Sequence, residues 1–377
     1  MTDAHSGGQP LPAGRFRQFS VVICVYTEDR WGDILAAVDS VREQSLPALE
    51  TLLVVDHNPV LRERLEKHYA DDTFASGTAA EVRVLANAGP RGLSAGRNTG
   101  IAESAGEFIA FLDDDAVAER DWLRHFADGY DDPRVLAVGG RTEPAWDSGR
   151  RPAWFPEEFD WVVGCMYKGH PTGRVQVRNV LGGNASFRRV AFDAAGGFAS
   201  GIGRDGNGLP LGGEETELCI RLRHARPDAV LLIDDRAVIH HRVPAERERF
   251  RYLPKRAYAE GISKALVAAS VGAQDGLATE RSYTTRVLPA GVARGMRDWL
   301  HARPGGAGRA GAIVAGVAAA AAGYAVGGLR ARRGGVRFAV AGLPQDGTAQ
   351  DTADSGTHGA AQDSSAQDSS AQKGAAG

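Results

Sequence analysis

The sequence predicts a globular α/β protein with a mostly parallel central sheet and helices on both of its faces. Strand-like runs such as 19–27 and 50–58 are continuously apolar and show no polar alternation. Segments whose apolar residues recur at helical spacing separate these runs along the chain. Buried strands linked by helices are typical of a parallel sheet that is covered on both faces.

The predicted elements follow one another in a regular order. The first strand is FSVVICVYT (19–27), and the helix after it, 31–44, has Ile34, Leu35, Val38 and Val41 at helical spacing. The later predicted elements are the strands ETLLVVDHN (50–58) and EVRVLANA (81–88), the helix GLSAGRNTGIAESA (92–105) and the strand FIAFL, which runs into three aspartates.

Composition narrows the classes of function. The chain has 377 residues, 43% of them hydrophobic and 24% charged, so it can bury one large core or two smaller ones. The net charge of -3 argues against nucleic acid as the main partner. Three widely spaced cysteines predict neither a disulfide framework nor a zinc site. The first eighteen residues lack the apolar core of a signal peptide, so we expect a cytoplasmic protein.

The pattern of segments predicts four regions. Residues 1–18 and 342–377 have compositions typical of disorder, and the second contains a repeated AQDSS. Residues 19–270 form the predicted main domain, with halves 19–116 and 117–270. Residues 271–341 form a C-terminal helical region.

Polar side chains follow three of the predicted strands. Tyr26, Thr27 and Glu28 follow the first, Asp56 the second, and the run Asp113–Asp115 the fourth. Ligands of parallel sheets bind beyond the carboxyl ends of the strands, so these groups are expected to converge on one crevice.

The three consecutive aspartates, Asp113, Asp114 and Asp115, need an explanation because neighbouring carboxylates raise one another's pKa. A divalent cation such as Mg²⁺ or Mn²⁺ would neutralise them, since hard cations prefer oxygen ligands. The alternative is a solvated turn in which Asp114 or Asp115 caps a helix near Asp121.

The stretch 87–100 favours an anion near these acids. NAGPRGLSAGRNTG brings glycines, Arg91 and Arg97 to the start of a helix, where free N–H groups and the helix dipole attract phosphate. No GKS or GKT follows, and the glycine spacing is not that of a dinucleotide fold. Arg97 alone could equally be an ordinary surface or sheet-facing arginine.

Five motifs taken together resemble the family-2 inverting glycosyltransferases with the GT-A fold, over about residues 19–270. The motifs are SVVICVYTEDR, LLVVDHN, NAGPRGLSAGRNTGIAESAGEFIAFLDDDA, GGNASFRRVAFDAAGGF and GGEETELCIRL. Within the family the chain is most similar to bacterial and archaeal transferases that modify lipid-linked or cell-envelope acceptors. The resemblance implies a nucleotide-diphosphate sugar donor and a metal-dependent, inverting transfer.

The resemblance also implies roles for residues of the first half. Base and ribose would be held by Tyr26, Thr27, Glu28 and Asp56, and the diphosphate side by Arg97. Asp113 and Asp115 match the outer positions of the DxD motif, with Asp115 the usual metal ligand and Asp113 nearer the ribose. Asp114, between them, is assigned to the nucleotide-sugar site.

In the second half the resemblance places the donor-sugar floor at Gly183 and Asn184. The glycine-rich stretch 200–213 is predicted to be a mobile lid. Glu214 and Glu215 begin a predicted helix, where acids are common without catalysis. The family acid pair maps onto them, and we assign the general base to Glu215 in preference to Glu214.

Three further features of the sequence each allow two interpretations. His241 ends a strand and is either structural or, as the family implies, near the metal or diphosphate. The basic segment 242–256 is a solvated face or a site for the phosphate of a membrane-bound acceptor. The aromatic residues of 146–161 are an acceptor platform or a satellite core.

The uncharged stretch 311–329 could span a bilayer, lie on its surface or pack on the main domain. We expect membrane association at the inner face of the cell membrane, with a lipid-linked or polysaccharide acceptor.

Two other functions would use similar motifs: a nucleotidyltransferase, or an inactive nucleotide-sugar-binding protein. The first would carry a glycine- and lysine/arginine-rich signature after the first strand, which CVYTEDRWGD lacks.

Overall fold

A computed structural model describes residues 18–70, 81–200, 213–271, 282–333 and 339–340. Within these ranges the chain forms a nine-stranded sheet in the order β3-β2-β1-β4-β8-β6-β10-β5, with β7 paired to β10. A two-residue strand pair, β9 and β11, lies apart from it. The strands are β1 (Phe19–Val25), β2 (Glu50–Val55), β3 (Glu81–Ala86), β4 (Phe108–Leu112), β5 (Ala116–Ala118), β6 (Val135–Trp146), β7 (Arg174–Gln176), β8 (Asn184–Arg188), β9 (Ala199–Ser200), β10 (Val230–Val243) and β11 (Ala339–Val340).

The first half of the sheet is the parallel arrangement that the sequence predicts. β1 pairs in parallel with β2 and β4, and β2 pairs in parallel with β3. In the second half β6 and β10 are parallel, whereas β8 runs antiparallel between β4 and β6. β8 therefore joins the two halves into one continuous sheet.

Helices cover both faces of this sheet, as predicted. Alternate residues of β1 point to opposite sides, so Val21 and Ile23 pack in one core and Val22 in the other. The described helices are α1 (Trp31–Arg42), α2 (Pro59–Ala70), α3 (Leu93–Glu103), α4 (Trp122–Gly129), α5 (Arg189–Ala195), α6 (Glu214–Ala225), α7 (Tyr252–Val271), α8 (Leu288–Leu300) and α9 (Gly306–Arg333).

A third core settles the question of the aromatic residues in 146–161. Phe155 and Phe159 are fully buried and pack with Leu253 of α7, Leu288 of α8 and Ile313 of α9. The cluster is therefore a satellite core that fixes the C-terminal helices to the main domain, and the acceptor-platform interpretation of these two rings is wrong.

The C-terminal helix α9 extends beyond the predicted stretch 311–329 at both ends. Residues Gly306–Arg332 are long and apolar enough to cross a membrane by length and composition, and they contain an 18-residue window with a mean hydropathy of 1.8. One side of α9 packs closely on α7: a Cβ at Gly261 would lie 2.7 Å from the backbone nitrogen of Tyr324.

Three predicted regions lie outside the described residues. These are most of the N-terminal segment 1–18, the lid at 200–213 except its two ends, and the tail 342–377.

Candidate active site

The three aspartates form a turn between two strands of the sheet. β4 ends at Leu112, and β5 begins at Ala116, whose backbone N–H donates to the carbonyl of Asp113 at 3.1 Å. The nearest helix, α4, begins at Trp122. The capping alternative for Asp114 and Asp115 is therefore wrong, because no helix starts where they could cap it.

The turn meets His241 because of strand register. β10 pairs antiparallel with β5 so that His241 stands opposite Ala116, next to Asp115. His241 Nε2 lies 3.2 Å from Asp115 Oδ1. One ligand atom each from Asp113, Asp115 and His241 lie within 4.8 Å of one another. The structure thus brings together the three residues that were assigned to the metal.

The chemistry of this cluster fits a divalent cation. Two carboxylates and an imidazole form a donor set that such ions accept in proteins. Three buried polar atoms at the site also have no hydrogen-bond partner among the described residues: Asp114 Oδ2, Glu214 Oε2 and His241 Nδ1. Buried polar atoms are nearly always paired, so such orphans are expected where a ligand completes the site.

The charge of Asp115 is stabilised by its neighbours. Burial raises its pKa, but the hydrogen bond with His241 and the positive charges nearby, including Arg30, outweigh burial and hold the pKa well below its usual value. Burial also raises the pKa of Asp114, to about 7, despite the opposing charge of Arg30. The two adjacent carboxyls therefore differ in their readiness to ionise.

Arg30 is a site residue that the sequence analysis missed. Its Nη2 lies 3.0 Å from Asp115 Oδ2, its Nη1 hydrogen-bonds Asp114, and its guanidinium stacks 5.3 Å from the ring centre of Tyr26. Arg30 ends a short 3₁₀ turn, Glu28–Arg30, directly after the first strand. The available signal was a basic residue at the end of the motif SVVICVYTEDR, two positions after Glu28.

Arg97 connects the aspartate turn with the acid pair on α6. It is 4% exposed, and its Nη1 lies 3.2 Å from Glu214 Oε1 while its Nη2 lies 3.8 Å from Asp113 Oδ1. Burial would lower the pKa of Arg97, but the charges of Glu214 and Asp113 raise it above its usual value. A surface role for Arg97 is therefore excluded, because it is a buried, charged bridge.

Glu214 and Glu215 occupy different surroundings although they are adjacent. Glu214 is 5% exposed and tied to Arg97, whereas Glu215 is half-buried. Burial and the neighbouring charge of Glu214 raise the pKa of Glu215 to about 8. A carboxylate with a raised pKa is a better proton acceptor near neutral pH.

The residues assigned to base and ribose lie around the ends of β1 and β2. Tyr26 is 49% exposed, and its backbone carbonyl accepts from Asn58 Nδ2 at 3.2 Å. Thr27 caps the 3₁₀ turn that begins at Glu28. Asp56 accepts from Asn87 Nδ2 at 2.7 Å and from the N–H of Gly92 at 3.1 Å. Asp56 therefore holds the loop before α3 in place.

Gly183 and Asn184, the two residues assigned to the donor-sugar floor, have different surroundings. A Cβ at Gly183 would collide with the carboxylate of Asp113, so any side chain there would have to displace that carboxylate. Asn184 is fully buried and accepts from Trp122 Nε1 at 2.8 Å while donating to the carbonyl of Arg141 at 2.9 Å. Contrary to expectation, its side chain is therefore committed to the core, and it can line the floor only through its backbone.

Comparison with known proteins identifies the family. Residues 20–196 match the profile described as Glycosyl transferase family 2. The glucosyl-dolichyl phosphate glucuronosyltransferase of Haloferax volcanii is 34% identical over 246 residues, which cover 65% of this chain and 75% of that protein. The chain belongs to glycosyl transferase family 2. Membership makes it a glycosyltransferase and removes the nucleotidyltransferase alternative.

Other similar proteins share less sequence identity with this chain. The succinoglycan biosynthesis protein ExoM of Rhizobium meliloti is 27% identical over 171 residues, or 45% of this chain and 50% of that protein. Among solved structures, the mannosyltransferase PcManGT from Pyrobaculum calidifontis, in complex with GDP-Man and Mn²⁺, is similar with a TM-score of 0.51. It is 18% identical and covers 85% of this chain and 89% of that one. This likeness confirms the predicted GT-A fold.

Proposed function

We propose that this protein transfers a sugar from a nucleotide-diphosphate sugar to a hydroxyl of a lipid-linked acceptor, with inversion, and with Glu215 as the general base. The observation that carries the proposal is the buried bridge made by Arg97. It joins Asp113 of the aspartate turn to Glu214, the neighbour of Glu215. Arg97 thereby holds a residue that we assign to the donor and the neighbour of the proton acceptor that we assign on either side of one guanidinium group.

The donor side is built from the strand ends. We assign base and ribose to Tyr26, Thr27, Glu28 and Asp56, and a divalent cation to Asp113, Asp115 and His241. When bound there, Mn²⁺ or Mg²⁺ would supply positive charge beside the departing diphosphate. Arg97, which stays protonated, adds a fixed charge on the same side.

The acceptor side is served by Glu215. Its carboxylate takes the proton of the acceptor hydroxyl as that oxygen bonds to the anomeric carbon of the sugar. The bond to the nucleoside diphosphate breaks in the same displacement, and the electron pair leaves with the diphosphate. A single displacement inverts the anomeric configuration. Glu214 positions Arg97 and takes no proton.

The acceptor class rests on the relative from Haloferax volcanii, whose name states a glucosyl-dolichyl phosphate. In this chain the basic segment 242–256 is partly used within the protein, since Arg242 pairs with Asp33 at 2.7 Å and Asp147 at 2.9 Å. Arg249, Arg251 and Lys255 are exposed and available to a phosphate. We place the reaction at the inner face of the cell membrane.

Matched glutamine variants test the base. Glu215→Gln keeps the size of the side chain but cannot accept a proton, so transfer should fall about a hundredfold or more while donor binding persists. Glu214→Gln should lower transfer less and weaken donor binding, because it loosens Arg97. Transfer should be measured at saturating donor, and donor binding by calorimetry.

The pH profile adds a second readout. Because the base must be deprotonated, wild-type transfer should rise with pH and level off above about 8, whereas the residual activity of Glu215→Gln should lack this step. If Glu214→Gln abolishes the step and Glu215→Gln retains it, the base is Glu214. If neither variant loses transfer, the acid pair has no part in proton removal.

A further inference from the structure

We propose that α8 and the outward side of α9 form a docking face that lies on the surface of an anionic lipid bilayer without crossing it. The docking face is defined by Met296, Trp299 and Leu300 of α8 and by Val314, Val317 and Leu329 of α9. The proposal goes beyond the transfer reaction, because it states what surface the protein binds and with which residues.

The first observation is that the central part of α9 has no charged face. From residue 310 to 329 the sequence contains no charged residue. Positions spaced along its outward side are nevertheless exposed, including Val314 at 58%, Ala318, Ala321, Ala325 and Leu329 at 53%. A helix on a water-facing surface normally carries polar residues there, and a contiguous exposed apolar patch marks an interaction site.

The second observation is the charge around this apolar surface. Residues 282–333 contain eight arginines and a single acidic residue, Asp298. Asp298 is already paired, with Arg303 at 3.0 Å and Arg309 at 2.8 Å. The arginines are Arg286, Arg294, Arg297, Arg303, Arg309, Arg330, Arg332 and Arg333. Arg294 is also paired, with Glu158 outside this range. The positive charge that remains, on a chain whose net charge is -3, is complementary to anionic headgroups.

The end of α8 has the composition of an interfacial anchor. Trp299 is 56% exposed and Leu300 is 75% exposed, and both lie within the last turn of the helix. Tryptophan is favoured at the boundary between water and lipid, because its ring has an apolar body and a polar N–H group. Together with the arginines, these side chains favour lipid over a purely apolar protein partner.

The packing of α9 argues that the helix lies along the membrane. Its inward side touches α7 so closely that a Cβ at Gly323 would collide with the backbone of Tyr258. α7 carries Glu260, which pairs with Arg256 at 3.1 Å and with Lys264 at 3.9 Å. If α9 crossed the bilayer, this packing would draw those charges into the hydrocarbon, which is costly.

Vesicle binding with a matched pair of variants tests the docking face. Val314→Glu places a charge on it, and Val60→Glu places the same charge on α2 at a valine that is 62% exposed. Wild type should sediment with phosphatidylglycerol-containing vesicles and bind neutral phosphatidylcholine vesicles much more weakly. Val314→Glu should lower this binding by at least about tenfold, whereas Val60→Glu should leave it unchanged.

Controls separate this proposal from its competitors. Thermal unfolding should show that Val314→Glu is folded, and Leu300→Glu provides an independent variant on the other helix. Donor hydrolysis in solution should be the same in all variants, so failed docking is distinct from a failed active site. The proposal is overturned if wild type ignores anionic vesicles, or if both valine variants bind equally. A dimer in sedimentation equilibrium that Val314→Glu dissociates would instead assign the face to a second copy.

Discussion

The aspartate turn, Asp113–Asp115, and the helix pair α8–α9 depart from ordinary burial in opposite ways. In the turn, Asp114 and Asp115 are withdrawn from water beside Arg30 and His241, and Asp114 Oδ2 has no hydrogen-bond partner among the described residues. In the helix pair, large apolar side chains remain in water although a core lies beneath them. Each departure costs stability and is therefore unexpected unless something outside the chain completes the region.

The comparison shows that a small charged ligand and an extended surface make different demands on the protein. The binding of a small charged ligand depends on specific contacts, since Asp114 and Asp115 both pair with Arg30. Binding to an extended surface depends on the overall composition of a helix, because no single residue makes α9 apolar. Point substitutions should therefore act sharply in the turn and more gradually on the helices.

The largest effect is expected at Asp115. Asp115→Asn removes one carboxylate from the metal cluster while keeping the shape of the side chain, so metal-dependent transfer should fall about a thousandfold. Mn²⁺ binding, followed by electron paramagnetic resonance of the free ion, should weaken in parallel. Asp121→Asn, at an exposed acid before α4, is the control and should change neither quantity. Full activity of Asp115→Asn would remove this residue from the metal site.

An intermediate effect is expected where α9 packs on α7. A Cβ at Gly327 would lie 2.8 Å from Ala265 Cβ, whereas a Cβ at the adjacent Gly328 would meet nothing within 4 Å. Gly327→Ala should lower the free energy of unfolding by about 2 kcal/mol through overpacking. Gly328→Ala should leave it unchanged or raise it by up to about 1 kcal/mol. Chemical denaturation measures both, and equal effects would mean that the two helices are not in close contact in solution.

The smallest effect is expected at Arg30. Its guanidinium shares Asp115 with the metal cluster, so it competes with a cation for that carboxylate. Arg30→Gln should therefore tighten Mn²⁺ binding by about tenfold in the absence of donor. Arg62→Gln, which breaks a half-exposed pair with Glu66 on α2, is the matched control. Weaker binding in Arg30→Gln would show that the arginine orients the carboxylates and does not compete.

Much of the fold could be predicted because its signals are local. Apolar runs located β1, β2, β3 and β4 to within a few residues, and the glycine-rich stretch before α3 marked the start of that helix. The convergence of Tyr26, Asp56 and Asp113 followed from a general property of parallel sheets. The antiparallel insertion of β8 between β4 and β6 could not be predicted, because register across distant segments leaves no local pattern.

The same distinction between features with and without a sequence signal applies to the candidate site. The proximity of Asp113, Asp115 and His241 was predicted because motif resemblance joined His241 to residues far away in the sequence. Glu214 and Glu215 could not be separated by sequence, since both sit in the first turn of α6, and their difference lies in which one faces Arg97. The burial of the Asn184 side chain could not be predicted, because its partner, Trp122, lies on α4, outside any motif.

The satellite core has a kinetic consequence. Val243, at the end of the strand that carries His241, packs in the same cluster as Leu253, Leu288 and Ile313. A protein seated on lipid through α8 and α9 would thus hold its crevice at a fixed height and tilt above the headgroups. Its acceptor would arrive by lateral diffusion in two dimensions, so turnover would follow the mole fraction of acceptor in the membrane. Diluting that surface with inert lipid should slow the enzyme even when the amount of acceptor in the tube is constant.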